Sequence, residues 1–240
     1  ALLPPDRQGE FFHRYVLGVY DLMDRITKAF PHILLENCSS GGGRFDAGML
    51  YYSPQIWASD CTDPIERLSI QFGASLCYPI SSLGAHVSAN PRAGLATKGR
   101  VALCGTFGYE LDPRKLTEEE RELVRGQVAD YHKYYDLLHY GDFYRLTSPT
   151  EDPYLCRWQF VSPDKKEVLF TQVIMRQPPA VCQFQKLPGL DPDAWYRDEA
   201  TGAVYSGALL MHAGLNLSAE NEFVYGDGAS LSIHLVAQDR

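Results

Sequence analysis

The stretch Leu34 to Asp63, LLENCSSGGGRFDAGMLYYSPQIWASDCTD, decides how the chain is read. It holds two short apolar runs, each ending abruptly in small polar residues. Ile33–Leu35 leads into Cys38, Ser39, Ser40 and three successive glycines; Gln55–Ala58 leads into Ser59 and Asp60. Glycines tolerate positive φ and let backbone N–H groups approach a ligand closely. No Gly-Lys-Ser/Thr follows them, so this is not a phosphate loop. Asp60 follows Ile56 and Trp57, and a carboxyl set against aromatic surface is disfavoured in its charged form, the condition a general acid needs. Asp63, directly before Pro64, reads instead as a helix N-cap with proline in the first turn.

Working outward, strand, loop and helix alternate up to about Gly141. A helix is expected from Glu10 to Phe30, stopped by Pro31, with Phe11, Tyr15, Val19, Leu22, Met23 and Ile26 at three-to-four spacing. Strands are expected at Ile33–Glu36, Gln55–Ala58, Ser75–Ser81 and Arg100–Gly105, with Met49–Tyr52 running on into the second. Helices are expected at Pro64–Phe72 and after Thr117, whose T-x-x-E pattern with Glu120 is a capping box. The stripe Leu123, Val124, Val128, Tyr131, Tyr135 and Leu138 is assigned to the core. This is the pattern of a parallel sheet with crossover helices, half of a (β/α)8 barrel or an open doubly wound sheet. The polar residues follow the strand ends, where such barrels place their active sites.

Beyond Tyr144 short β-rich runs take over: Cys156–Val161, Glu167–Met175, Ala180–Phe184, Ala194–Arg197, Val204–Ser206 and Ser230–Val236. They read as a small antiparallel β-sandwich. The fold class is therefore α/β plus all-β, with domains expected at residues 1–143 and 144–240.

With 45% hydrophobic and 22% charged residues the 240-residue chain has a globular composition, and a net charge of −8 argues against nucleic acid. No apolar run reaches the roughly 20 residues of a membrane span. The six cysteines show no metal-like spacing and read as thiols of a cytoplasmic protein. Asn37-Cys-Ser and Asn216-Leu-Ser match the glycosylation sequon, with Asn37 expected to be buried beside the site and neither used in a cytoplasmic protein.

The block Cys38–Leu68, with GEFFHRY at Gly9–Tyr15 before it and YPISSLGAHVS and GTFGYELD after it, resembles the family 36 α-galactosidases. The resemblance implies the second half of a catalytic barrel and a C-terminal β domain. It makes Asp60 the acid/base and puts Cys38, Ser39, Ser40 and Gly41 in the galactose site. The family nucleophile, an Asp in a Lys-Trp-Asp-type motif upstream of GEFFHRY, has no counterpart in these residues. The chain is thus expected to be part of a longer enzyme and inactive alone. The implied activity is retaining hydrolysis of terminal α-linked galactose in melibiose- or raffinose-type oligosaccharides, without metal or organic cofactor, by a homo-oligomer. The alternatives are an α-N-acetylgalactosaminidase, a raffinose-type galactosyltransferase or a non-catalytic sugar-binding module. The chain departs from the family pattern at Cys61, at Ala47 and in a short Ser88–Gly99 loop.

Other candidates carry a structural alternative. Trp57 could stack on a sugar face or pack in the core. Glu36 is the in-chain rival for a second carboxylate, and His86 could contact substrate or be held by its loop. Enlarging Gly41 is expected to block the sugar site while leaving the fold nearly intact.

Overall fold

The computed structural model describes residues 3–178, 184–217 and 226–238. They form two compact units, one ending at Asp60 and one beginning at Cys61.

In the first unit α1, Gln8–Ala29, ends where Phe30 N–H donates to Ile26 O and Pro31 follows. None of its residues is buried, and Phe11, Phe12, Tyr15 and Leu22 are all exposed. Strand β1 is Glu36–Asn37, not Ile33–Glu36; Ile33 and Leu34 are exposed. It pairs in parallel with β2, Gln55–Ile56, in the register Glu36↔Gln55 and Asn37↔Ile56. Met49–Tyr52 is helical, as part of α2 (Ala47–Tyr52), because Asp46 caps it by accepting the Met49 N–H at 2.9 Å. Asp46 also accepts the Tyr20 hydroxyl at 2.9 Å, which ties α1 to α2.

In the second unit α3, Pro64–Ala74, is capped by Asp63, whose Oδ1 accepts the Ile65 and Glu66 N–H groups at 2.8 and 3.1 Å. The expected third and fourth strands both move. Ser75–Ser81 is a turn and a 3-10 segment, and β3 is Gly84–Ser88. Val101–Leu103 belongs to the end of α4 (Leu95–Ala102), and β4 is Thr106–Glu110, parallel to β3. A short apolar run fits a buried helix turn as well as a strand. Here Thr97 and Val101, one turn apart and both buried, settle it as helix.

The capping box at Thr117 is formed: Glu120 N–H donates to Thr117 Oγ1 at 3.1 Å and Thr117 N–H donates to Glu120 Oε2 at 2.8 Å. It starts α5, Glu118–Tyr140. The buried face of α5 is Gln127, Tyr134, Leu137 and Leu138; Leu123, Val128 and Tyr135 of the expected stripe are exposed. The helix is amphipathic, but its core face is rotated from the one the stripe suggested.

Strand β5, Asp142–Thr147, follows α5 directly and was not foreseen. With β6 (Leu155–Val161), β7 (Glu167–Ile174), β9 (Trp195–Asp198), β10 (Val204–Ser206) and β12 (Ser230–Ala237) it makes a six-stranded antiparallel sheet. Its order is β10-β9-β12-β7-β6-β5. Strand β8, Phe184–Gln185, pairs with β11, Leu215–Asn216, and the unforeseen helix α6, Gly207–His212, lies between β10 and β11 in sequence. The expected strand Ala180–Phe184 lies mostly outside the described residues.

Ribbon and helix form the second layer of the sandwich. Leu187, Leu190, Leu210 and Leu215 pack with Val168, Phe170, Tyr196, Ile233 and Leu235 of the sheet in one core. The opposite face meets α4 and α5, so β6 is buried along its whole length instead of alternating. Thr97 on α4 donates to Gly228 O at 2.8 Å, and Arg100 donates to Ser230 O at 3.1 Å, locking α4 to β12. No helix among the described residues is long and apolar enough to cross a membrane.

Candidate active site

Parallel pairing of β1 and β2 carries two loops out of the same sheet end. Trp57 N–H extends the pairing by donating to Asn37 O at 2.8 Å. Cys38, Ser39, Ser40 and Gly41 then follow β1, while Ser59 and Asp60 follow β2. The two sequence pieces assigned to one site are thus neighbours in space.

What brings them together is the glycine run. Gly41 has φ +77°, and a Cβ there would lie 2.7 Å from Ser59 Cα and 3.1 Å from Asp60 N. A Cβ on Gly42 would lie 2.9 Å from Ala58 O. The loop therefore rests directly on the backbone that presents Asp60, and only hydrogen side chains allow it. Ser40 itself sits at φ 49°. Gly43 N–H donates to Ser39 O at 3.1 Å, and a Cβ at Gly43 would lie 2.6 Å from that oxygen. Buried Asn37 donates from Nδ2 to Arg44 O at 3.1 Å, closing the loop from below.

This geometry corrects the expectation for Gly41. A larger side chain there meets backbone, in a conformation that L-residues avoid, before it meets any ligand. The fold and the site are both disturbed.

Asp60 is exposed, so the burial expected of it is not supplied by this chain's described residues. Trp57 is only 8% exposed. The Cys38 thiol is partly buried and points to Gly41 O at 3.9 Å. Glu36 accepts the side-chain amide of Gln55 on the neighbouring strand, so it is engaged structurally. His86 lies in β3, not in a loop, with Nδ1 2.8 Å from Glu110 Oε1. Asp63 is the cap the sequence suggested, and it also takes Arg92 Nη1 at 3.2 Å.

Two contributors were missed. Asn37 is buried, as expected of this sequon residue, but its role as a loop clamp through the bonded amide was not foreseen. Asp46 was not weighed, although D-x-x-M ahead of an apolar stretch is a legible cap signal. Ser218 of the second sequon lies outside the described residues.

Chemically, the arrangement offers a solvent-reachable carboxyl beside a loop of thiol, hydroxyl and backbone groups. A carboxyl so placed can give a proton to a leaving oxygen and later take one from water. Among the described residues no group of three His, Cys, Asp or Glu side chains could hold a metal ion.

Comparison with known proteins gives these features a context. Residues 2–141 match the family model Melibiase, and residues 155–235 match the glycosyl hydrolase family 36 C-terminal domain. The chain is 51% identical over 224 residues to α-galactosidase AgaA of Geobacillus stearothermophilus, which covers 90% of this chain and 30% of that protein. It is 48% identical over 221 residues to α-galactosidase 1 of Pediococcus pentosaceus, covering 88% of this chain and 30% of the relative. Among solved structures, AgaA in complex with raffinose superposes with a TM-score of 0.91 at 47% identity, over 99% of this chain and 33% of that one. The α-galactosidase of Lactobacillus brevis gives 0.92 at 40% identity, again over 99% and 33%. The chain thus spans about 30% of the length of the curated relatives it matches. Its architecture is the C-terminal half of a (β/α)8 barrel followed by an antiparallel β-sandwich. The chain belongs to the melibiase family of glycoside hydrolases and carries the family 36 C-terminal domain in its second half.

Proposed function

We propose that this chain supplies the acid/base and part of the sugar site of a retaining α-galactosidase. The enzyme acts on terminal α-linked galactose in raffinose- or melibiose-type oligosaccharides. The observation that carries the reading is the seating of the Cys38–Gly43 loop on the Ala58–Asp60 backbone. It joins the residues of one proposed sugar pocket to Asp60, a carboxyl that among the described residues is neither a cap nor paired.

Retention requires two carboxylates about 5–5.5 Å apart, one as nucleophile and one as acid and then base. Asp60 takes the second role. It protonates the glycosidic oxygen as the bond to the anomeric carbon breaks, and the nucleophile forms the glycosyl ester. The Asp60 carboxylate then removes a proton from water, whose oxygen displaces the nucleophile and regenerates both groups. Cys38, Ser39, Ser40 and Gly41 line the galactose pocket, with Trp57 as an apolar wall behind Asp60. The nucleophile comes from another part of the full-length protein, because Glu36 and Asp46 are committed to Gln55 and to the cap of α2.

The exposed apolar faces of α1 and α5 support the reading, since half a barrel leaves such faces for the other half to cover. That Cys38, Cys77, Cys104 and Cys156 stand outside any disulfide among the described residues supports a reducing, cytoplasmic setting.

The test is Asp60→Ala in the full-length protein, assayed on aryl α-galactosides of graded leaving-group acidity. Substrates with poor leaving groups should be lost, activated ones spared, and azide should restore turnover as α-galactosyl azide, because it displaces the β-glycosyl ester in place of water. Uniform loss across the series without rescue overturns the assignment. Preference for the aryl N-acetylgalactosaminide overturns the substrate class.

A further inference from the structure

The second unit contains a cavity of about 320 Å³ that the proposed chemistry does not use. It opens where β3 and β4 end: Ser88 closes β3, and Leu111 and Asp112 follow β4. Crevices outside the carboxyl ends of parallel strands are where α/β folds bind ligands. The floor is apolar, from Ala93, Leu95 and Leu116, and the polar lining is Ser88, Lys98, Asp112, Lys115 and Glu120.

The charges in that lining are unequally committed. Asp112 takes Arg114 through Nε at 2.9 Å and Nη2 at 3.0 Å, so it is neutralised by its own neighbour. Glu120 is held by the Thr117 N–H in the capping box. Ser88 donates to Thr62 O at 2.9 Å. The ammonium groups of Lys98 and Lys115 have neither ion pair nor hydrogen bond among the described residues; only their backbone N–H groups are bonded, to Gly94 O and Asp112 O. With Arg114 counted, three cations meet two carboxylates. Lys98 is half-buried, in α4 at the cavity wall, and Lys115 stands at the exposed rim.

We propose that this cavity binds a small anionic ligand, a phosphate or carboxylate borne on a body the size of a monosaccharide, with Lys98 and Lys115 taking the charge. Two ammonium groups without partners hold anionic oxygens through charge-assisted hydrogen bonds. A volume at the low end of the roughly 300–1,000 Å³ of ligand clefts suits a single ring and leaves a bare phosphate loosely held. Burial holds Lys98 below the ordinary lysine range, partly offset by the Glu120 carboxylate, so an arriving anion restores what desolvation removes.

The experiment is calorimetric titration of the full-length protein with glucose 6-phosphate, glucuronate, inorganic phosphate and glucose. One of the two sugar acids should bind, and which of them does identifies the anion. Inorganic phosphate and glucose should each bind at least about tenfold more weakly, since each lacks one half of the recognition. Lys98→Gln should weaken the sugar acid by about tenfold or more, and Lys98→Arg should restore most of that. Lys115→Gln, at the rim, should give a smaller loss at unchanged melting temperature, and it carries the test if Lys98→Gln does not fold. Equal affinity for glucose and its phosphate, undiminished binding in both glutamine variants, or no binding of either acid overturns the proposal.

Discussion

Replacing Gly41 with alanine tests how the site is assembled. The added Cβ would lie 2.7 Å from Ser59 Cα, about 0.7 Å short of the 3.4 Å at which ordinary contact begins. Both partners are backbone, so no side chain can swing aside. Holding an L-residue at φ +77° costs roughly 1–2 kcal/mol, and overpacking of this kind adds roughly 1–3 kcal/mol. The expected destabilisation is therefore about 2–5 kcal/mol, read as a fall in the urea midpoint at constant slope. The strain relaxes into Ser59 and hence into Asp60, the next residue. Displacing a catalytic group by the order of 1 Å costs about 10²-fold in rate. In the full-length protein Gly41→Ala should therefore lose about two decades of kcat/KM together with its stability. A wild-type urea midpoint with lost activity would refute the reasoning, because the glycine would then serve the ligand and not the approach of two backbones.

Gly126 makes the contrasting control: nothing lies within 4 Å of its Cβ position in α5, so Gly126→Ala should stabilise by about 0.5–1 kcal/mol in the same assay. Asp63→Ala should cost about 1 kcal/mol through the lost cap while keeping the leaving-group profile of the wild type. The isolated chain should not turn over an aryl α-galactoside, and measurable hydrolysis would return Glu36 to consideration as nucleophile. Burial pushes the Cys104 thiol up to about 12, and Cys156 is raised for the same reason. Unfolded thiols ionise near 8.5, so above that pH the unfolded chain binds fewer protons than the native one and stability falls. Between about pH 8.5 and 10 each thiol should remove roughly 1 kcal/mol per pH unit, a slope that Cys104→Ala should reduce and that a flat profile would contradict.

Much of this architecture was legible because its signals are local. Thr117 with Glu120, and Asp63 with Pro64, name their helix starts by chemistry that needs only nearby atoms. Val204–Ser206 fell where expected for the same reason, bounded by a tight turn. The strands β3 and β4 were missed because their identity depends on what covers them. Val101–Leu103 is apolar whether it lies in a strand or closes a helix, and the choice is fixed by tertiary packing that buries Thr97 and Val101 one turn apart and bonds Thr97 to Gly228. At the candidate site, Cys38–Gly41 and Asp60 could be named from sequence through the family resemblance. The reason for three glycines could not. That reason is the Ala58–Asp60 backbone, which reaches them only through the pairing of β1 with β2. The core face of α5 was misjudged similarly, since a stripe states that a helix is amphipathic without stating which edge of it meets the sheet.

The sheet order places β12 between β9 and β7, although β12 begins only at Ser230, long after β7 closes at Ile174. Until Ser230–Ala237 has been synthesised, β5, β6 and β7 can form a meander, but β9 and β10 have no sheet to join. Helix α4 likewise waits for the Ser230 and Gly228 partners of Arg100 and Thr97. A barrel helix and two sheet strands are thereby hostage to one late segment. Assembly of this unit should be concerted and slow, as non-local pairings require. A ribosome stalled before Ser230 would hold a nascent chain with its inner strand edge bare, the condition under which chaperone capture or misassembly begins.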